Sequence, residues 1–262
     1  MKRKLGIICN CLKDEDPVKT LEKIKAAGFD CFFSGTASVD GVAALKKRAD
    51  ELGLEYEFIH APFAGINNMW LPGMDYLSIY NGMKTAIDAA AENDVPMVIL
   101  HVSSGWKVPE INDLGLARFD SLVVYAKERG VKVAFENLRK VGNVSYFVDR
   151  YEHMDNVVFC YDCGHEHCYT QTVCFPDIFR ERMVCTHIHD NYGRGDLSID
   201  DPDFHLLPFD GNLDFEAMMR SLDKYNYQGS LMLEVGNSRH LDMTGEEFLA
   251  TCYERIKKIS EM

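Results

Sequence analysis

Leu5-Gly6-Ile7-Ile8-Cys9, running into Asn10-Cys11-Leu12-Lys13, is the stretch on which the fold turns. Residues 4–9 form a short apolar run without helical period, which reads as a buried strand. In a doubly wound open sheet, the turn after the first strand carries a glycine-rich phosphate loop. Asn10-Cys11-Leu12-Lys13 is not such a loop. That leaves the other architecture built from strand–helix units, provided the rest of the chain repeats them.

The units do repeat. A helix is expected over 17–28, with Asp16 as cap, Pro17 in the first turn and Gly28 as the stop. A strand over 31–34 follows, then a helix over 39–53 capped by Ser38, then a strand over 55–60. The loop 61–76 holds Trp70 and neither Lys nor Arg. Next come a helix over 77–93 with a small-residue face (Ala86, Ala89, Ala90, Ala91) and a strand over 96–101. A loop with Trp106 leads to a helix over 114–130 and a strand over 131–136. Short helices over 146–151 and 176–182 flank a strand over 157–162, and a strand over 183–187 follows. A helix over 215–225 capped by Asp214, a strand over 230–234, and a helix over 246–259 behind Thr244 and Glu247 complete the pattern. Strands that alternate with helices are parallel, joined by helical crossovers. Eight such units in about 250 residues is the size of a (β/α)8 TIM barrel, so one α/β domain is expected over 1–262.

Composition agrees. The 262 residues are 47% hydrophobic, enough for one large core, and no run reaches the roughly 18 apolar residues of a membrane span. Met-Lys-Arg-Lys is basic, but the apolar run behind it is too short for a signal sequence, so a cytoplasmic protein is expected. Nine scattered cysteines, an odd number, fit free thiols in a reducing compartment. Cys163 and Cys168 lie near candidate ligands, yet no second CxxC half completes a zinc–thiolate site. The net charge of −13 disfavours a general nucleic-acid binder.

The expected strands three to eight end in His60, His101, Glu136, Asp162, His187 and Glu234. In a barrel these ends meet at one mouth, where active sites sit. Three carboxylates brought together in a buried ring need compensation, and a cation is the simplest remedy. His165, in Asp162-Cys163-Gly164-His165, lies three residues past a strand end. Asp203 and His205, at i and i+2, project to one side of an extended loop. His189 is assigned to the core or a supporting position, facing away from His187. Imidazoles with carboxylates suit Zn2+ or Mn2+ better than Mg2+. Trp70 and Trp106 are read either as walls of a substrate pocket or as plugs under long loops, and Arg194 either as a contact for a substrate anion or hydroxyl or as an ordinary exposed loop residue.

Ile59-His60-Ala61-Pro62, Phe135-Glu136-Asn137-Leu138, Asp162-Cys163-Gly164-His165, His187-Ile188-His189-Asp190-Asn191 and Leu233-Glu234 together resemble the xylose isomerase-like TIM barrel superfamily. That group includes sugar-phosphate isomerases and epimerases as well as endonuclease IV-type AP endonucleases (AP endonuclease family 2). The resemblance implies a metal held by Glu136, Asp162, His187 and Glu234. It implies proton transfer by Glu136 and Glu234, and substrate contact by His165. In the endonuclease branch, His60, His101, His165, Asp203 and His205 would be additional ligands in a three-zinc site.

The expected function is a divalent-metal-dependent isomerase or epimerase of a small sugar, sugar phosphate or polyol. Carboxylates would move a proton through a metal-stabilised enediolate. The substrate-binding residues would be His165, Trp106 and Arg194. The alternative is a zinc phosphodiesterase acting on abasic DNA. Against it, the loop 61–76 has no basic residue, and residues 191–210 carry one Arg against five Asp. A barrel that only binds a sugar or metal is a third reading, disfavoured because every expected ligand type is present. The expected partner is a small carbohydrate, with no membrane, and homo-oligomer formation is left open.

Overall fold

The structure, a computed structural model, describes residues 3–195 and 199–262. Met1 and Lys2, from the basic start, and Asp196, one of the five loop aspartates, lie outside the described residues. Eight parallel strands form one sheet: β1 (Leu5–Ile8), β2 (Cys31–Ser34), β3 (Glu55–His60), β4 (Met97–Leu100), β5 (Lys132–Glu136), β6 (Val157–Asp162), β7 (Met183–His187) and β8 (Leu231–Leu233). Their order, β7-β6-β5-β4-β3-β2-β1-β8, leaves a seam between the two ends. The seam is drawn together by one parallel bridge, Ile188 to Leu233, just past β7. There the Ile188 amide donates to Met232 O at 2.8 Å and the Glu234 amide to Ile188 O at 3.0 Å. The Thr186 hydroxyl adds two links, donating to Ser230 O at 3.0 Å and accepting from the Met232 amide at 3.2 Å. The result is a nearly closed TIM barrel, as the sequence leads one to expect.

The helices are α1 (Pro17–Ala27), α2 (Val39–Leu52), α3 (Leu77–Glu92), α4 (Asp113–Glu128), α5 (Val141–Arg150), α6 (Cys163–Tyr169), α7 (Phe175–Phe179), α8 (Phe215–Lys224) and α9 (Gly245–Ser260). Asp16 and Asp214 cap as expected, and Thr244 with Glu247 forms a full capping box. Ser38 makes no side-chain capping bond, contrary to expectation. Helix α5 starts five residues earlier than its expected 146–151: Gly142 is tolerated because Val144, Phe147 and Val148 bury one face. Helix α6 stands where the sequence reading places no element, and a short 3-10 turn (Ile66–Trp70) breaks the 61–76 loop.

The core has two parts. The larger lies between sheet and helices, joining for example Ile7, Phe32 and Phe135 to Leu21, Leu45 and Phe119. The smaller fills the barrel: Cys31, Phe33, Phe58, Met97, Ile99, Ala134, Val158, Cys160, Cys185 and Met232. It is so full that a Cβ on Gly6 would lie 2.5 Å from Met232 Sδ and 2.7 Å from Cys31 Sγ, so β1 adds only the partly buried Ile8 there. This inner plug positions the site. Side chains two residues apart on a strand share a face. Phe58, Ile99, Ala134, Cys160, Cys185 and Met232 point inward, and two residues on, at the mouth, stand His60, His101, Glu136, Asp162, His187 and Glu234.

Candidate metal centre at the barrel mouth

Glu136 is the hub. It is fully buried, and its two oxygens face different neighbours. Oε2 lies 3.0 Å from His101 Nε2 and 3.3 Å from His60 Nε2. Oε1 lies 3.2 Å from both His187 Nδ1 and His165 Nδ1. His187 Nδ1 in turn is 3.2 Å from Glu234 Oε2 and 3.9 Å from Asp162 Oδ2. Its ring stacks on Phe33 of the plug, with centroids 4.9 Å apart, which fixes the direction of Nδ1. The six strand-end residues thus converge, as do His165, Asp203 and His205.

Asp162 has two duties. Its backbone amide donates to Asn137 Oδ1 at 2.8 Å, and its carboxylate caps α6 by accepting from the His165 amide at 2.6 Å. The helix begins directly after β6, and its first turn lifts His165 over the mouth. Asn137 O lies 2.9 Å from His165 Nδ1, and His165 Nε2 lies 3.0 Å from Asp203 Oδ2.

Asp203 and His205 arrive on the β7–α8 connection, which is organised by Asp190. That buried carboxylate accepts from the amides of Asn191, Phe209, Gly211 and Leu213 at 2.8–3.1 Å. An antiparallel bridge from Asp190 to Leu206 then lays the returning chain alongside. His205 Nε2 is 3.2 Å from Asp203 Oδ2, and His205 Nδ1 is 2.8 Å from Glu234 O. The pair meets as expected, but not on an extended chain. His205 has φ +46°, in the left-handed region that a non-glycine residue adopts only under constraint.

His189 corrects the sequence reading. Two residues past His187, it returns to the same face instead of facing away. Its Nε2 lies 3.2 Å from Asp162 and 3.6 Å from Asp203 Oδ1, and its ring stacks on His205 at 3.9 Å. Space for it comes from Gly164, where a Cβ would sit 2.0 Å from the imidazole. Reading i and i+2 as one face, as was done for Asp203 and His205, would have found it.

The electrostatics are those of a paired cluster. Burial opposes ionisation of Glu136, but His187 and His101 outweigh it and hold the carboxyl well below the usual range. Burial lowers the His187 pKa, yet Glu234 and Glu136 raise it to about 10. Asp203 is likewise buried but held low by His165 and His205.

The donor atoms fall into groups whose members lie within 4.8 Å of one another: His60/His101/Glu136, Glu136/Asp162/His187/Glu234, His60/His187/Glu234 and His165/His189/Asp203/His205. Buried His187 Nε2, His189 Nδ1 and Asp203 Oδ1 have no hydrogen-bond partner among the described residues. Clustered imidazole nitrogens and carboxylate oxygens with orphaned polar atoms fit divalent cations. Among the described residues no cysteine joins these groups: the Cys163 thiol points to His189 O at 3.6 Å, and burial pushes its pKa well up. All nine cysteines are free.

A cavity of about 260 Å3 opens onto the cluster, lined among others by Glu136, His165, Asp203 and Glu234. A second one, of about 360 Å3, lies beside α6 and α8 and contains none of the clustered ligands. Trp70 is a core plug, its Nε1 donating to Val102 O at 2.8 Å. Trp106 is 39% exposed, with Nε1 donating to Asp200 O at 2.8 Å, and it lines an adjoining cavity. The Arg194 guanidinium lies 4.0 Å from the Trp106 ring centre, so these two meet each other above the mouth. Sequence reasoning missed Arg139, Tyr169 and Phe63, which also line the central cavity. Phe63 stacks on His101 at 4.5 Å. Among the described residues no helix is long and apolar enough to cross a membrane.

Comparison with known proteins supplies context. A family model described as "Xylose isomerase-like TIM barrel" matches residues 21–253. An uncharacterized protein of Sinorhizobium fredii (strain NBRC 101917 / NGR234), y4fM, is 34% identical over 173 residues. That alignment takes in 61% of this chain and 53% of the relative, so the chain matches about half of that protein's length. Among solved structures, a D-tagatose 3-epimerase-like protein superposes with TM-score 0.75 at 22% identity, covering 98% of this chain and 97% of the other. An L-ribulose 3-epimerase superposes with TM-score 0.76 at 16% identity, covering 99% and 95%.

Proposed function

The chain belongs to the xylose isomerase-like TIM barrel family, and from that premise we propose that it is a divalent-metal-dependent sugar isomerase or epimerase. One observation carries the reading. Glu136 and Glu234, from strands on either side of His187, each bring a carboxylate oxygen to 3.2 Å from its Nδ1, and both line the same cavity. Two carboxylates on opposite sides of a bound keto-sugar are what is needed to remove a proton from one face and return it to the other. Return to the same carbon inverts it, and return to the adjacent carbon moves the carbonyl. The epimerase names of the structural neighbours support the same reading.

Glu136, Asp162, His187 and Glu234 would hold a Zn2+ or Mn2+ ion, which when bound supplies Lewis-acid polarisation of a substrate carbonyl. His165 lines the same cavity and would contact a substrate hydroxyl through Nε2 once that nitrogen gives up Asp203. Trp106 and Arg194 would form the outer wall. The cavity, at the small end of ligand sites, suits a single sugar over a polymer.

The test is exchange of the substrate's carbon-bound proton with solvent, followed by NMR in D2O across a keto-sugar panel. Glu136→Gln and Glu234→Gln should each reduce exchange by roughly 10²–10⁴-fold. Full exchange in both variants would remove these residues from the proton-transfer role.

A second reading has its own observation. Four neighbouring donor groups, with Glu136, His60, His187 and Glu234 each shared between two, would also serve a multi-metal phosphodiesterase. Three tightly bound zincs together with cleavage of an abasic oligonucleotide would favour it over the isomerase.

A further inference from the structure

Arg139 has no place in the chemistry above. It lies three residues past Glu136, on the loop leaving β5, and among the described residues lining the central cavity it is the one Lys or Arg side chain. Its side chain is only 10% exposed. The guanidinium lies 3.9 Å from the Tyr169 ring centre and 5.2 Å from that of Trp106, so two aromatic rings pack against it. Among the described residues its bonds leave from one nitrogen: Nη2 donates to Tyr169 OH at 2.6 Å and to Asp201 Oδ2 at 2.7 Å. Nε is buried without a partner among the described residues.

A nearly buried guanidinium with an unused donor is costly unless something completes it. The partner it has, Asp201, is 58% exposed and lies on the rim. Asp201 also accepts from Tyr169 OH at 2.6 Å, so an anion entering the cavity competes with a rim carboxylate for both donors. The central cavity shares Ser104, Gly105, Arg139 and Asp201 with the adjoining cavity, which adds Lys107 as a second cation. A ligand whose reacting carbons sit between Glu136 and Glu234 therefore has a rigid cationic fork at the outer end of its groove. A planar fork packed against aromatic rings recognises phosphate or carboxylate bidentately.

We propose that Arg139 is a specificity residue that anchors an anionic substituent, a phosphate ester or a carboxylate, on the substrate sugar, displacing Asp201. The proposal rests on the isomerase reading for the word sugar, but the anion site stands on geometry of its own.

The test uses the metal-loaded protein. Only two tryptophans are present, and Trp70 is buried, so Trp106 fluorescence reports on the site, with Trp106→Phe as the control. Inorganic phosphate and acetate are titrated separately. At least one should give a saturable change, and Arg139→Gln should weaken it tenfold or more. Tighter phosphate names a phosphate ester, and tighter acetate a sugar acid. An unchanged Kd in Arg139→Gln, or no saturable signal with either anion, overturns the proposal. Arg139→Lys, which keeps the charge but loses the fork, should weaken binding several-fold. It carries the test if the glutamine variant melts early, and undiminished binding by it counts against the proposal. In proton exchange, the preference for a ketohexose 6-phosphate or keto-sugar acid over the neutral sugar should drop tenfold or more in Arg139→Gln, through KM. If Arg139-dependent anion binding persists while no sugar exchanges, the isomerase reading fails and the anion site survives. If neutral sugars exchange and neither anion binds, the converse holds.

Discussion

At the scale of single residues, the ligand-type side chains were legible because each stands at a strand end, where period-two alternation and barrel topology leave no other destination. Arg139 was not legible, because its value comes from Tyr169, Trp106 and Asp201, residues 30 or more positions away in sequence. His189 was legible in principle and misread. A residue at the opposite end of the barrel illustrates a burial effect that sequence hides. Glu57 accepts from Ser230 Oγ at 2.5 Å, and burial, only partly offset by its Ser230 and Cys31 hydrogen bonds, raises its pKa from the usual 4.5. A carboxyl with a raised folded-state pKa binds its proton more tightly in the folded state. Stability is therefore fully present below about pH 4.5 and is lost as pH climbs through the raised value. Glu57→Gln removes that dependence. Its melting temperature relative to the parent should rise between pH 4.5 and 8, and a gap that stays flat over this range would contradict the assignment.

At the scale of elements, regular strands and helices followed their sequence signals, and departures occurred where tertiary partners decide. Helix α6 is an example: a seven-residue helix that exists because Asp162, already committed to the mouth, also caps it. The β7–α8 connection is another. Its composition reads as polar loop, and only the structure reveals that Asp190 gathers four backbone amides and lays Asp203 and His205 against the site. Asp190, quoted above only as part of the motif His187-Ile188-His189-Asp190-Asn191, is the organiser of that loop. Replacing it with alanine leaves four amides without their acceptor. A loss on the order of 3 kcal/mol in urea unfolding is expected, about half of it recovered by Asp190→Asn, which keeps one acceptor oxygen. A loss below about 0.5 kcal/mol in the alanine variant would mean that water replaces the carboxylate freely.

At the scale of the whole molecule, the barrel was predictable from the count and order of its units. The way it closes was not. Seven neighbouring strand pairs are held by ladders, whereas β7 and β8 meet through one bridge and the Thr186 hydroxyl. Side-chain completion of a seam follows no local pattern, so no window of sequence announces it. The seam carries its own dynamics. The stability of a native protein is distributed unevenly, and its least-bonded joint opens first. Here that joint is flanked by His187 at the end of β7 and Glu234 just past β8, whose side chains lie 3.2 Å apart in one donor group. An ion gripped by both would act as a clasp across the gap. In native-state hydrogen exchange, the amides of Ile188 and Glu234 should then exchange markedly faster after chelation, while those within β4 and β5 keep their protection. Equal acceleration in both places would show that the staves of the barrel part everywhere at once instead of at this join.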